Sequence, residues 1–323
     1  MQAVVEQKKI TLPAFGSIPK KKFWARVRKD LYTYRYAYLM LFPALLWYGI
    51  FVYWPLAGNV IAFMNFTPAR GIWDSEWVGL THFISFTNSF FFWRLIRNTV
   101  LLSFYGVIFA FPIPIILAIM LNEVPFIKYR RTVQTITYMP FFISLIVFCG
   151  IVIDFMRIDG VVTSILHFFG APNQNWMMRP GAFRTIFITS DIWRTMGWNS
   201  IIFLAALSTI DQELFEAARI DGAGRLRQIF HITLPGILPI TMILLIIRLG
   251  AILNVGFEQV LLLQNDANLY TADVISTFIY RRGILAADFS FATAVGLFNS
   301  SISFALVIAA NWLSRKVTGH SLW

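Results

Sequence analysis

Cysteine is almost missing from this sequence. Cys149 stands alone in 323 residues and lies in an apolar run, so no disulfide framework can form within the chain. Charge is scarce too: Asp, Glu, Lys and Arg make up 13% of the residues, about half the share usual for a soluble protein. There is no Gly-x-x-x-x-Gly-Lys-Ser/Thr loop, and with it no recognisable cradle for ATP phosphates. Gly222-Ala223-Gly224 lacks the third glycine of a dinucleotide site. The four histidines, His82, His167, His231 and His320, are scattered, and no His/Cys/Glu cluster has metal spacing. No nucleophile–base pair is discernible. The expectation is a chain that is not an enzyme by itself and that carries no cofactor or metal of its own.

What the sequence has instead is apolar surface. Hydrophobic residues make up 58%, with 32 Phe, 11 Trp and 11 Tyr. A single soluble core stops growing at roughly 250–300 residues and cannot hide that much. Disorder is excluded by the same composition. The fold class expected is all-α, a polytopic membrane protein.

A helix needs about 20 largely apolar residues to cross a bilayer. Five runs qualify plainly: Tyr38–Phe63, Thr99–Leu121, Thr132–Ile153, Pro235–Leu253 and Phe291–Leu313. A sixth, Ile186–Leu207, is less apolar and carries Asp191, Arg194 and Asn199. Six spans make the charges consistent. Segments 1–36, 122–131, 208–234 and 314–323 hold 17 of the 27 Lys and Arg, whereas the longer segments 64–97, 154–185 and 254–290 hold 8. The basic side should be cytoplasmic, with both termini inside. Basic residues that flank spans do not form the single soluble face that nucleic acid needs. The chain then divides into a basic N-terminal segment (1–36), a membrane-spanning body (37–313) and a short tail (314–323). No cleavable signal peptide is expected, because the first apolar run begins near residue 37 and is too long for one. Ile18–Tyr36 mixes Lys and Arg with Phe23, Trp24, Val27 and Leu31, as suits an amphipathic helix on the inner leaflet. The outer segments are rich in aromatics and turn formers and read as ordered caps.

The most informative segment is 211–235, between spans four and five. It reads as two short helices. Asp211 can cap the first, and Asp221-Gly222 can end it, since glycine tolerates the left-handed conformation. Leu214, Phe215 and Ala218 share one face of the first helix; Leu226, Ile229, Phe230 and Thr233 share one face of the second. Pro235 then starts span five. Such a knob suits docking on a partner, or packing against its own bundle, and the physics leaves both open.

Resemblance decides between them. Glu216-Ala217-Ala218, then Gly222 after three intervening residues, then Ile232-Thr233-Leu234-Pro235 after nine more, is similar to the EAA motif of ABC-importer permeases. Asp221-Gly222-Ala223 resembles the extended form in the carbohydrate-uptake group, which includes the maltose permeases. Tyr38–Pro43, Trp77-Val78-Gly79-Leu80, Asn98-Thr99, Leu121–Val124 and Tyr280-Arg281-Arg282-Gly283 resemble permeases for polymeric sugars, the first membrane subunits of bacterial alginate importers among them. The resemblance implies a bacterial inner-membrane subunit that works with a second permease in a heterodimer. It also implies two ATPase subunits that bind ATP and Mg, a periplasmic solute-binding protein, and an oligo- or polysaccharide cargo. It makes Glu216, Ala217, Ala218, Asp221, Gly222, Ala223, Leu226 and Phe230 the surface that contacts an ATPase, and no nucleic-acid partner is implied.

A charge within a span is costly and is a functional candidate by default. Arg248 lies midway along span five, with Asn254 and Glu258 beyond it; span four offers Asp191, Arg194, Trp198 and Asn199. Positions 191, 194 and 198 share a helical face. These seven residues are candidates for a sugar path. The structural alternative for Arg248 is a pair with an acid elsewhere. Asp154 and Asp159 are expected to cap loops. A proton- or sodium-coupled transporter using Asp191 or Glu258 is the rival class.

Overall fold

The computed structural model describes residues 29, 31–251, 253 and 255–318. Most of the Ile18–Tyr36 segment, Asn254, His320 and the end of the tail lie outside the described residues. The chain separates into two units, residues 1–59 and 60–323.

The first unit holds α1 (Arg35–Tyr48), a wide helical turn at Gly49–Tyr53, and a further turn at Trp54–Leu56. The helical segment runs on to Phe63, 29 residues in all. In the second unit, β1 (Met64–Asn65) and β2 (Glu76–Trp77) form an antiparallel hairpin, with Met64 opposite Trp77. Then come α2 (Thr81–Thr87), α3 (Phe92–Tyr105), α4 (Pro112–Glu123), α5 (Ile127–Phe142), α6 (Leu145–Phe155), α7 (Val161–Phe168) and α8 (Pro180–Leu207). The rest is α9 (Gln212–Ile220), α10 (Arg225–Gln228), α11 (Leu234–Gly250), α12 (Phe257–Leu263), α13 (Leu269–Ala272), α14 (Ile275–Ile279) and α15 (Phe289–Thr318).

Among the described residues, four continuous helices are long and apolar enough to cross a membrane: Arg35–Phe63, Phe92–Glu123, Arg225–Gly250 and Phe289–Lys316. At 1.5 Å per residue each exceeds the roughly 30 Å hydrocarbon layer. The third expected span, Thr132–Ile153, is not one helix. It breaks between α5 and α6, which are bent by 101°. Ile143 and Ser144 are extended there, three residues after Pro140. Proline lacks an N–H and crowds the carbonyl four residues back, so the helix ends soon after it. Hydropathy reads straight through such a break because both arms are apolar. α6 then buries Phe148, Cys149 and Val152.

The knob's second helix and span five, expected as separate elements meeting at Pro235, are continuous from Arg225 to Gly250. The joint is a π turn at Ile229–Thr233. The same device appears at Gly49–Tyr53 before Pro55 and at Gly106–Ala110 before Pro112. Widening the turn gives the proline ring room that a regular α-turn does not.

Three packed clusters hold the second unit together. One gathers Phe148, Val152, Phe183, Phe187, Val260 and Leu263 from α6, α8 and α12. A second gathers Phe86, Leu95, Phe278, Phe291 and Val295 from α2, α3, α14 and α15. The third joins Ala118 of α4, Phe203 and Leu207 of α8, and Ile237 of α11. α8 is the central post and packs along α4, α5 and α11. Its contact with α5 is backbone-close: a Cβ at Gly197 would collide with the Thr137 carbonyl.

The segments 64–97, 154–185 and 254–290 meet at one end of this unit, the cap end. Phe66 N–H donates to Ser290 Oγ at 2.9 Å, and Asn268 Nδ2 donates to the Met177 carbonyl at 3.0 Å. Asp159 closes its loop as expected of a capping residue: its carboxylate accepts from Asn173 Nδ2 at 2.7 Å. Asp154 instead pairs with Arg157 at 2.8 Å. The opposite end carries α9 and α10 and is the knob end.

Candidate functional site

At the knob end, local chemistry dictates the form. Asp211 accepts the Glu213 N–H at 3.0 Å, a side-chain cap on α9. Such a cap stabilises a helix by about 1 kcal/mol. At the other end Gly222 has φ +75°. Its N–H donates to the Arg219 carbonyl at 3.0 Å, and Ala223 N–H donates to the Ala218 carbonyl at 2.8 Å. This is a Schellman closure, and a glycine at the left-handed position is what it requires. Gln228 Nε2 then reaches back to the Ala223 carbonyl at 2.7 Å, tying α10 to the bend.

Neither α9 nor α10 buries a side chain. Glu216, Ala217, Asp221 and Gly222 are exposed, with Ala218 and Ala223 half-buried. Ile220 is 87% exposed, Leu226 73% and Phe230 63%. The apolar face expected at 226, 229, 230 and 233 is split: Thr233 is buried, while Leu226 and Phe230 point to solvent. The π turn at 229–233 rotates the helix between them. Beside the bend lies a cavity of about 560 Å³ bordered by Asn122, Glu123, Phe215, Arg219 and Gln228.

The intramembrane polar residues fall into two groups. Arg248 of α11 faces Asp191 of α8, with Nη2 to Oδ2 at 3.7 Å. Gly106 makes the room, since a Cβ there would sit 3.2 Å from that same nitrogen. The pair borders a cavity of about 200 Å³ with Ser103 and Phe187. Arg194 lies over the Phe141 ring at 5.5 Å, and Trp198 stacks on that ring at 4.6 Å. So positions 191, 194 and 198, expected on one face, serve two neighbours: Asp191 turns to α11, while Arg194 and Trp198 turn to the end of α5. Asn199 is half-buried. Glu258 is exposed in the first turn of α12 and is not among the residues bordering the Asp191 cavity. Asn254 lies outside the described residues.

A further polar centre sits at the cap end, and sequence reasoning missed it. Asp273 is fully buried and takes Arg94 at 3.0 Å and Arg281 at 2.7 Å on one carboxylate oxygen. Thr277 donates to the other oxygen at 3.2 Å. Asn98, also fully buried, donates to the Asp273 and Tyr270 carbonyls at 3.0 and 2.9 Å. Its own carbonyl accepts from Arg184 at 3.0 Å. The one signal available was the likeness at Asn98-Thr99 and at Tyr280–Gly283.

With this geometry in place the comparisons are informative. A family profile described as "Binding-protein-dependent transport system inner membrane component" matches residues 110–319. The chain belongs to that family, the membrane permeases of ABC importers. This family member is 42% identical to Protein LplB of Bacillus subtilis, over 90% of this chain and 91% of that one. It is 40% identical to the polygalacturonan/rhamnogalacturonan transport system permease YteP of the same organism, over 92% and 93%. It also superposes on a chain of a bacterial alginate ABC transporter, solved in complex with an alginate pentasaccharide-bound periplasmic protein. That match has a TM-score of 0.85 and 42% identity, and covers 92% of this permease and 100% of that chain.

Proposed function

We propose that this permease is one of two membrane subunits of an ATP-driven importer for acidic oligo- or polysaccharides, handed over by a periplasmic binding protein. The observation that carries the reading is the likeness to the alginate importer chain, 42% identical along 92% of the sequence. Alginate is named there as an acidic polysaccharide, and polygalacturonan, named for a 40% identical relative, is a polyuronate as well.

Within this reading the knob is the coupling element. Glu216, Ala217, Ala218, Asp221, Gly222, Ala223, Leu226 and Phe230 contact one of two ATPase subunits, which bind ATP and Mg. Their exposure supports this, because Leu226 and Phe230 find no cover in their own chain. Closure of the ATPases draws the knobs of this subunit and its partner permease together and reorients the helices. The knob is held to α11 through a continuous helix, so its movement reaches Arg248 and Asp191 directly. These two, with Arg194, Trp198, Asn199, Asn254 and Glu258, are the candidate wall of the sugar path. α8 is the sixth span: its 28 residues make about 42 Å of helix, enough to cross. Both termini are cytoplasmic and the cap end is periplasmic in the bacterial inner membrane. The excess of Lys and Arg on the knob side supports that orientation.

The test is uptake of a uronate oligosaccharide into proteoliposomes carrying the complete complex and its binding protein. Uptake should require ATP and continue when proton and sodium gradients are collapsed. Uptake that follows a gradient and ignores ATP would sink the proposal.

A further inference from the structure

Among the described residues of the cap end, four arginines have no ion pair: Arg70, Arg97, Arg179 and Arg184. Arg94 and Arg281 share Asp273, Arg157 has Asp154, and Arg282 has Asp288. Arg184 gives one nitrogen to Asn98, and its Nε is buried with no hydrogen-bond partner. Arg97 is exposed and lies over the Tyr270 ring at 5.2 Å. Arg97 is the chain neighbour of Asn98, which holds Arg184, so two cations gather at one neutral side chain. A pair of like charges near the end of a membrane helix bundle is unfavourable without a counter-charge.

Beside Arg184 is space. A cavity of about 570 Å³ is bordered by Tyr105 at the end of α3, Phe109 in the turn that follows, and Arg184, Thr185, Ile188 and Thr189 of α8. Its volume is within the range usual for small-ligand sites. Arg97 does not border the cavity; it stands next to Asn98, the side chain that holds Arg184, and over the Tyr270 ring. On α8, Arg184, Thr185 and Thr189 present a cation and two hydroxyls to the same opening. A fork of guanidinium N–H groups matches a carboxylate with two parallel hydrogen bonds, and aromatic rings match the apolar face of a sugar.

We infer that Arg184, with Tyr105, Thr185 and Thr189 and with Arg97 supplying a second positive charge beside Asn98, forms a subsite that reads the carboxylate of a uronate unit as cargo enters from the cap end. The inference rests on the acidic-sugar reading above and adds the residues that recognise the acid. The phosphate of an anionic lipid has similar charge. The cavity sets the hydroxyls of Tyr105, Thr185 and Thr189 beside apolar Phe109, Ile188 and Ile192, a mixture that suits a sugar ring, and the choice of lipid in the experiment separates the two sources.

The experiment uses the whole importer in proteoliposomes, with a uronate pentasaccharide delivered by the binding protein. Arg97→Gln and Arg184→Gln should each lower the uptake kcat/KM about tenfold, the loss of a charged hydrogen bond. ATP hydrolysis with unloaded binding protein should stay at the wild-type level. Arg97→Lys and Arg184→Lys keep the charge but lose the fork, and should fall between wild type and Gln. Wild-type uptake in both Gln variants overturns the inference. So does a fall with Lys as deep as with Gln, which marks a role in packing. Arg97→Gln covers the case in which Arg184→Gln disturbs Asn98 and the complex fails to assemble. The series is repeated in purely zwitterionic lipid. A Gln effect that disappears there assigns the site to lipid phosphate and overturns the sugar subsite. A wild-type importer that moves neutral but not uronate sugars defeats the acidic-cargo reading itself, an outcome the variants cannot produce.

Discussion

At the cap end, Asp273 gathers Arg94 from α3, Arg281 from beyond α14, and Thr277 from within α14, and its carboxylate is sealed from solvent. At the knob end, α9 and α10 bury no side chain, and Ile220, Leu226 and Phe230 stand in the open. The cap end is tied to itself. Asp273, Asn98 and Thr277 find partners in the same chain, and three separate loop segments are joined by side-chain bonds. The knob satisfies its backbone through one cap, one glycine and the Gln228 side chain, and leaves its large apolar side chains uncovered. Rigidity at one end and an uncovered surface at the other are what a subunit needs to transmit motion delivered by a partner.

The two ends should therefore fail differently. Asp273→Ala carries the largest expected effect. It leaves two arginines facing a desolvated hole, and breaking such a pair from one side costs about 3–5 kcal/mol. Arg94 and Arg281 retain some exposure, 19% and 36%, which puts the loss toward the lower figure. Thermal unfolding in detergent should show a clearly lowered melting point and poor recovery of folded protein. Asp273→Asn keeps the bond from Thr277 and should lose less. An unchanged melting point for the alanine variant would show that the network adds nothing to stability.

Gly222→Val is the counterpart at the knob. Forcing a side chain into φ +75° costs about 1–2 kcal/mol, and the strain is confined to an exposed bend. The melting point should hardly move, because no core residue touches Gly222. Uptake and ATPase recovery in the complex should nonetheless collapse, since α9 would leave its present angle to α10. Normal uptake by Gly222→Val would remove the knob from the coupling role.

This difference also explains what could be read from the sequence. The knob was legible because everything that shapes it is local: Asp211 acts two residues away, and Gly222 closes a turn five residues long. The helices were legible as apolar runs, but their ends were not. Windows beginning at Thr99 and Ile186 hid the fact that α3 starts at Phe92 and α8 at Pro180. That placed Arg94, Arg97 and Arg184 in loops, when they stand on the same helices as the spans. The break after Pro140 was invisible because α5 and α6 are both apolar around it. The Asp273 network was beyond reach for another reason: Arg94 and Asp273 are 179 positions apart, and only the folded chain brings them together. No periodicity reports such a pairing.

The smallest expected effect lies between the two ends, at Asp191 and Arg248. Their oxygen–nitrogen distance is 3.7 Å, longer than a charged hydrogen bond, and Arg248 keeps 41% of its side chain exposed to the cavity. A long, partly solvated pair of this kind contributes about 1 kcal/mol or less. The quantity to measure is the coupling between Asp191→Asn and Arg248→Met in a double-mutant cycle on thermal stability. Met preserves the length and apolar bulk of Arg248, so packing against Gly106 changes little. The coupling should stay under about 1 kcal/mol, well below the cost of removing Asp273. The same variants read in the transport assay separate the roles. If the pair is a wall of the sugar path, Arg248→Met lowers binding-protein-stimulated ATP hydrolysis while the melting point holds. A coupling as large as the Asp273 loss, with transport intact in both single variants, would make the pair a second structural lock. The inner half of the bundle would then resemble the cap end, and the division between a self-tied end and an open one would be confined to α9 and α10.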